Sequence, residues 1–179
     1  MSQASILDVE VSLMRTSDLA FVASGWKRSH ADAPQNTGQP SPVVFARLNR
    51  QVDELLDRPT VAVFVARDRE HPDTLLGFLC MEHRGPVLAL HYAYTRRTHK
   101  RLGVCTELLK AALQGAQDCD VLVYTAGSRF DWLWERWGFL RVDLHDWLRD
   151  SEAAVKKLTG RNSAVKSPVK TQRGEESRR

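Results

Sequence analysis

Five basic side chains, Arg96, Arg97, His99, Lys100 and Arg101, crowd together just ahead of Gly103. Cations at that density suit an oligophosphate, and the glycine lets main chain approach it closely. Val104, Leu108, Leu109, Ala112 and Leu113 then recur at three and four residues with Glu107 and Lys110 between them, which predicts a helix. The start of a helix presents unpaired N–H groups and the positive end of the helix dipole, so the basic stretch leads into a second anion-attracting feature. The spacing is neither G-x-G-x-x-G nor G-x-x-x-x-G-K-[ST], so neither a dinucleotide fold nor an ATP-binding loop is indicated. An ordinary basic loop before a surface helix is the plainer alternative.

Two more side chains nearby could do chemistry. His91 carries an imidazole that needs little tuning to take a proton near neutral pH, and serves either as a base or as a histidine hydrogen-bonded within a sheet. Cys105, at the predicted helix start, stands where a thiol pKa is lowered. No paired base accompanies it, so it reads as structural. Cys80, Cys105 and Cys119 show no C-x-x-C and no metal-ligand spacing, which argues against a disulfide framework or a zinc site.

The elements that must position these groups follow from periodicity. Val9 to Met14 alternates as a strand, Ser17 caps a helix running to about His30, residues 31–42 make a loop, and Val43 to about Asp57 forms a second helix. In that second helix Val44, Leu48, Val52 and Leu55 share one stripe. Thr60–Ala66 and Leu75–Met81 read as antiparallel strands. The next strand puts Leu88, Leu90, Tyr92 and Tyr94 on one face and Ala89, His91, Ala93 and Thr95 on the other. Its helix runs to about Gln117 and Val121–Thr125 is a buried strand. A short aromatic helix starts at Ser128, Phe139–Leu144 supplies a last strand, and Trp147–Leu158 reads as a closing helix.

The order β-α-α-β-β-β-α-β-α-β is an α/β arrangement with a mixed sheet of about six strands. Together with Lys100-Arg101-Leu102-Gly103-Val104-Cys105, which resembles the acyl-CoA motif [QR]-x-x-G-x-[GA], and Trp134-Glu135-Arg136-Trp137-Gly138-Phe139, which resembles a Y-E-x-x-G-F segment, it is similar to the GNAT superfamily of N-acyltransferases. The resemblance spans roughly residues 8 to 144. It departs from the family at Lys100, at Cys105, at Trp134 where a tyrosine is usual, and in the helix that replaces a seventh strand.

The resemblance implies that acetyl-CoA, the co-substrate, lies between the fourth and fifth strands. Pantetheine would run beside Tyr94 and Thr95, with the pyrophosphate on Lys100, Arg101, Leu102, Gly103, Val104 and Cys105. His99, Arg96 and Arg97 would either meet the CoA 3′-phosphate or form a solvated loop. An amine acceptor, approaching from the side of the first two helices, would attack the thioester directly. His91 would be its base and Tyr124, or else Tyr92 or water, the acid for the leaving thiolate. Trp132, Trp134 and Trp137 read as core.

The net charge of +4 is not evenly spread. Residues 151–179 carry eight Lys/Arg and three Glu, leaving 18 Lys/Arg against 19 Asp/Glu in residues 1–150. That division suggests an acyltransferase domain over 1–150, a helix over 151–160 and a disordered basic tail over 161–179, the tail being a candidate tether to nucleic acid or another polyanion. No apolar run reaches the ~18 residues of a membrane span, so a cytoplasmic location and no membrane partner are expected. The stretch Ser24-Gly25-Trp26-Lys27, paired with YTRRTHKRLGV, also has the look of bacteriophage members of the family. Two alternatives follow: a DNA- or nucleotide-modifying protein of the Mom type, and a non-catalytic binding or virion protein.

Overall fold

The computed structural model describes residues 8–31, 41–116, 118–125, 131–136 and 138–165. A six-stranded sheet in sequential order carries the fold: β1 (Val9–Leu13), β2 (Val61–Asp68), β3 (Leu75–Arg84), β4 (Val87–Thr95), β5 (Val121–Tyr124) and β6 (Leu140–Arg141). The first four strands are joined antiparallel, β2 to β3 and β3 to β4 through short connections and β1 to β2 across residues 14–60, and β5 and β6 add in parallel. The helix α3 (Val104–Gln114) makes the crossover from β4 to β5.

Helices α1 (Leu19–Ala31) and α2 (Ser41–Leu56) cover one face of the sheet, and α3 covers the other. All four residues of the α2 stripe, Val44, Leu48, Val52 and Leu55, are buried, each stabilising the fold by about 1.5–3 kcal/mol. Val104, Leu108, Leu109 and Ala112 of α3 are buried in the same way against the opposite face. At the head of α1, Asp18 accepts from Arg67 of β2 and from the Arg15 amide at 2.8 Å. Burial opposes its charge, but these hydrogen bonds outweigh it and hold the carboxyl below its usual pKa. Leu19, the first residue of α1, is apolar yet exposed.

One irregularity changes the reading of β4. Met81 pairs with Leu90 and Cys80 with Tyr92, so His91 is an extra residue bulged out of the β3–β4 ladder. A bulge moves the following side chains to the other face. Leu88 and Leu90 pack toward α3, whereas Tyr92 and Tyr94 pack toward α1, where Trp26 stacks on Tyr92 at 4.9 Å. The four residues expected on one face are thereby divided between two.

The C-terminal part also differs. The strand expected over Phe139–Leu144 shortens to Leu140–Arg141, because Asp143 accepts from the amides of His145 and Asp146 and starts a helix there. In place of one helix over Trp147–Leu158 there are two, α5 (Leu144–Arg149) and α6 (Ser151–Val165), separated at Asp150. The second extends past residue 160, where a disordered tail was expected; residues 166–179 lie outside the described ones, as do 32–40 of the predicted loop. The short helix α4 (Asp131–Arg136) precedes β6, and its expected cap, Ser128, is likewise outside them.

Candidate active site

The parallel ladder between β4 and β5 runs from Val87–Val121 to Leu90–Tyr124 and closes with the Thr125 amide donating to the Leu90 carbonyl at 2.9 Å. Beyond that point β4 continues to Thr95, past the end of β5. β4 thus outruns its partner, and the bulged His91 and Thr125 stand at the base of this one-armed fork, where the described pairing ends.

His91 is joined there to two elements at once. Its Nδ1 lies 2.9 Å from Thr125 Oγ1 and its Nε2 lies 3.1 Å from Glu82 Oε2. Glu82 also accepts from Trp147 Nε1 at 2.7 Å, Arg84 Nε at 2.6 Å and Thr60 Oγ1 at 2.9 Å, with the Arg58 guanidinium at 3.4 Å. Burial alone would raise the Glu82 pKa, but its hydrogen bonds from His91, Trp147, Arg84 and Thr60 hold it far below the ordinary carboxylate value. Burial dominates at His91 and lowers its pKa; the Glu82 contact works against that and the Arg58 charge with it. The imidazole is therefore neutral near pH 7. Donating its Nε2 proton to the carboxylate, it presents a bare Nδ1, so Thr125 is the donor in their hydrogen bond. His91 is 1% exposed and Thr125 6%, so the imidazole is enclosed and its partner Thr125 is nearly so.

The loop after β4 is tied back by the Arg96 amide, which donates to the Leu76 carbonyl at 2.8 Å. A single 3-10 turn, Arg97–His99, follows. Arg101 (φ +68°) and Gly103 (φ +82°) are both left-handed, and Gly103 caps α3 through its carbonyl, which accepts from the Glu107 amide at 3.0 Å. Left-handed residues in a turn of this kind can aim neighbouring amides to one side, as anion-binding concavities do. Lys100, Arg101, Leu102 and Gly103 are exposed, Val104 is buried in the core, and a Cβ on Gly103 would meet nothing within 4 Å. The arrangement fits a pyrophosphate approaching from solvent. Cys105 does not join the chemistry: burial pushes its thiol up to about 11, which overrides the helix-terminus effect.

A cleft of about 490 Å³ opens on the α1 side of the fork, between that helix, Tyr94 and the turn carrying Arg96, Arg97 and Thr98. Phe21 and Tyr94 meet edge to face at 6.0 Å in its wall, and the Arg96 guanidinium lies 5.1 Å above the Phe21 ring. Ser24, Gly25 and Arg28 of α1 complete it. Thr95 pairs with Gly77, where a Cβ would stand 2.4 Å from the Tyr94 carbonyl.

Tyr124 is buried on the α3 side of β5 and donates to Glu135 Oε1 at 3.4 Å. Trp134 belongs to the same core, edge to face with Phe139 at 6.2 Å; the side chains of Trp132 and Trp137 lie outside the described residues. The structure thus brings Tyr94 to the arginine cleft and His91 to the base of the fork, with Tyr124 on the opposite face. Glu82, Thr125 and Arg28 escaped the sequence reading. Glu82 alone carried a signal, as an acidic residue in the otherwise apolar run LLGFLCM-E.

The model of the family described as Acetyltransferase (GNAT) matches residues 28–139, from within α1 to the turn before β6. No curated protein sequence matches the chain. Among solved structures, a proposed acetyl transferase from Pyrococcus furiosus is 13% identical, with a TM-score of 0.62 over 74% of this chain and 93% of that one. The histone acetyltransferase HPA2 and related acetyltransferase from Corynebacterium glutamicum is 20% identical, with a TM-score of 0.56 over 73% and 83%. A ribosomal-protein-alanine N-acetyltransferase from Brucella melitensis is 18% identical, with a TM-score of 0.52 over 72% and 90%. At these identities the likeness is one of fold.

Proposed function

The chain belongs to the GNAT acetyltransferase family, and on that premise we propose that it transfers an acetyl group from acetyl-CoA to a primary amine by direct attack. The observation that carries this reading is the fork itself, with a left-handed anion-binding loop at one end and the Glu82–His91–Thr125 chain at its base. Acetyl-CoA would supply a thioester carbonyl as acyl donor. The amides from Arg101 to Cys105 would hold its pyrophosphate at the start of α3, with Lys100 adding charge. Tyr94 and Thr95 would flank its pantetheine arm.

In this reading Thr125 accepts a proton from the acceptor ammonium and passes its own to His91 Nδ1, and the Glu82 carboxylate stabilises the resulting imidazolium. The neutral amine nitrogen bonds to the thioester carbon while the carbon–sulfur bond breaks. Trp134, in the position of the usual tyrosine, has no proton to give, so the thiolate takes its proton from water or from Tyr124, which would first have to leave Glu135 on the opposite face. His91 thus keeps the role of base, exercised through a hydroxyl in place of direct contact.

The test is thiol release from acetyl-CoA in the presence of a panel of primary amines, alongside calorimetric binding of acetyl-CoA. Amine-dependent release, with an N-acetylated product by mass spectrometry, is the expected result. Absence of both binding and release at millimolar acetyl-CoA would overturn the reading.

A second reading, modification of nucleic acid by a phage-encoded protein, is favoured by the eight Lys/Arg gathered in residues 151–179. Binding of duplex DNA that weakens with salt and disappears on deleting residues 166–179 is its test. As to location, no helix among the described residues is long and apolar enough to cross a membrane.

A further inference from the structure

Arg28, Arg96 and Arg97 converge on the cleft beside α1, and none of the three has an acidic partner among the described residues. Among the described residues no acidic side chain lines the cleft either. Its wall is aromatic, from Phe21 and Tyr94, and Gly25 keeps it open: a Cβ there would stand 3.5 Å from the Tyr94 ring and 3.2 Å from Phe78. We propose that this cleft is the acceptor's anion site, so that the amine substrate also carries a phosphate or carboxylate. The proposal rests on the acetyl-transfer reading for the amine, but the anion site itself does not.

The argument is electrostatic and positional. Three guanidiniums lining one open cleft repel a polyamine or any substrate whose far end is cationic, and attract an oxyanion, which arginine grips bidentately. The same charges disfavour protonation of an amine held nearby, which helps to supply the neutral nucleophile. Tyr94 lies three residues beyond His91 on β4, a spacing of roughly 10 Å along an extended strand. An acceptor with its oxyanion in the cleft and its amine at Thr125 therefore needs a spacer of several bonds between them. Phe21 and Tyr94 offer such a spacer an apolar wall.

The probes are ω-aminopentyl phosphate, ω-aminohexanoate, pentylamine and diaminopentane, each titrated calorimetrically into protein saturated with CoA and each assayed for thiol release from acetyl-CoA. One or both anionic probes should bind roughly tenfold or more tightly than pentylamine, with diaminopentane weakest. Arg28→Gln and the double variant Arg96→Gln/Arg97→Gln should each remove that preference while leaving acetyl-CoA affinity unchanged. The relative affinities of the two anionic probes separate a phosphate site from a carboxylate one.

Diaminopentane binding as well as the anionic probes would overturn the proposal. So would arginine variants that weaken acetyl-CoA but not dephospho-CoA, because the guanidiniums would then serve the CoA 3′-phosphate. If the anionic probes bind through the arginines but none is acetylated, the anion site stands and the acetyl-transfer reading fails. If amines without an anion are acetylated efficiently, the reverse holds.

Discussion

His91 Nδ1 and Thr125 Oγ1 lie 2.9 Å apart across the base of the fork, although 34 residues separate them in the chain. That bond joins the bulged residue of β4 to the first residue after β5. In the proposed mechanism Thr125 is the group through which the enclosed imidazole exchanges a proton with a substrate.

Thr125→Val and His91→Gln should therefore have similar kinetic effects. Each removes one link of the chain and should lower kcat/KM by about 10²-fold or more, the usual contribution of a general base. Acetyl-CoA affinity, measured by calorimetry, should be unaffected in Thr125→Val. Turnover within a few-fold of wild type in that variant would show that the amine loses its proton by another route.

The same network sets how stability depends on pH. His91 has a folded pKa below its unfolded value, so the unfolded chain binds that proton more readily and stability falls as pH drops below about 6.5. Glu82 has a folded pKa below its unfolded value as well; its contribution is present above about pH 4.3 and is lost as pH falls from there. Urea midpoints measured from pH 7.5 to pH 5 should decline in the wild type and decline less in His91→Gln. Equal slopes in the two proteins would remove His91 as the cause.

Gly103→Glu tests the anion loop directly. At φ +82° a side chain costs about 1–2 kcal/mol, and the carboxylate adds like-charge repulsion toward a pyrophosphate. Acetyl-CoA should raise the Tm of the wild type and leave that of the variant unchanged. Stabilisation of both to the same degree would move the pyrophosphate away from this loop.

Gly77→Ala addresses the pairing that holds β4 in place. Its added methyl would lie 2.4 Å from the Tyr94 carbonyl and 3.3 Å from Val104 Cγ1. Relief requires the strands to shift, at a cost of about 1–3 kcal/mol. The variant should unfold at lower urea and bind acetyl-CoA more weakly, because the carbonyl it displaces belongs to the strand expected beside pantetheine. An unchanged urea midpoint would mean the sheet absorbs the methyl freely.

Much of this was legible in the chain because it rests on local periodicity. The α2 stripe, the α3 core face and the order of strands all follow from residues a few positions apart. The bulge was not legible, since Tyr92 and Tyr94 are apolar enough to continue the alternation of Leu88 and Leu90 on paper, and the inserted residue shows only in the pairing with β3. Glu82 was visible as an anomaly, and Arg84, two residues on in the same strand, lies within reach of the alternation, but its partners at 60, 91 and 147 come from three other segments that periodicity cannot bring together. The arginine cleft failed for the same reason, as Arg28 lies far in sequence from Arg96 and Arg97. Asp143 could have been found: an aspartate two and three residues before the amides it caps is a local signal, outweighed here by the apolar look of Phe139–Leu144.

The 2.7 Å bond from Trp147 to Glu82 bears on how the protein is made. On the ribosome, the strands bearing Glu82 and His91 are synthesised well before Trp147 emerges. A nascent chain halted ahead of that tryptophan holds its sheet carboxylate without the indole that both donates to it and covers it. The fork can be sealed only after α5 has been released, so its burial is a late event in biosynthesis, and the aromatic residue on α5 completes a site whose other members were laid down much earlier.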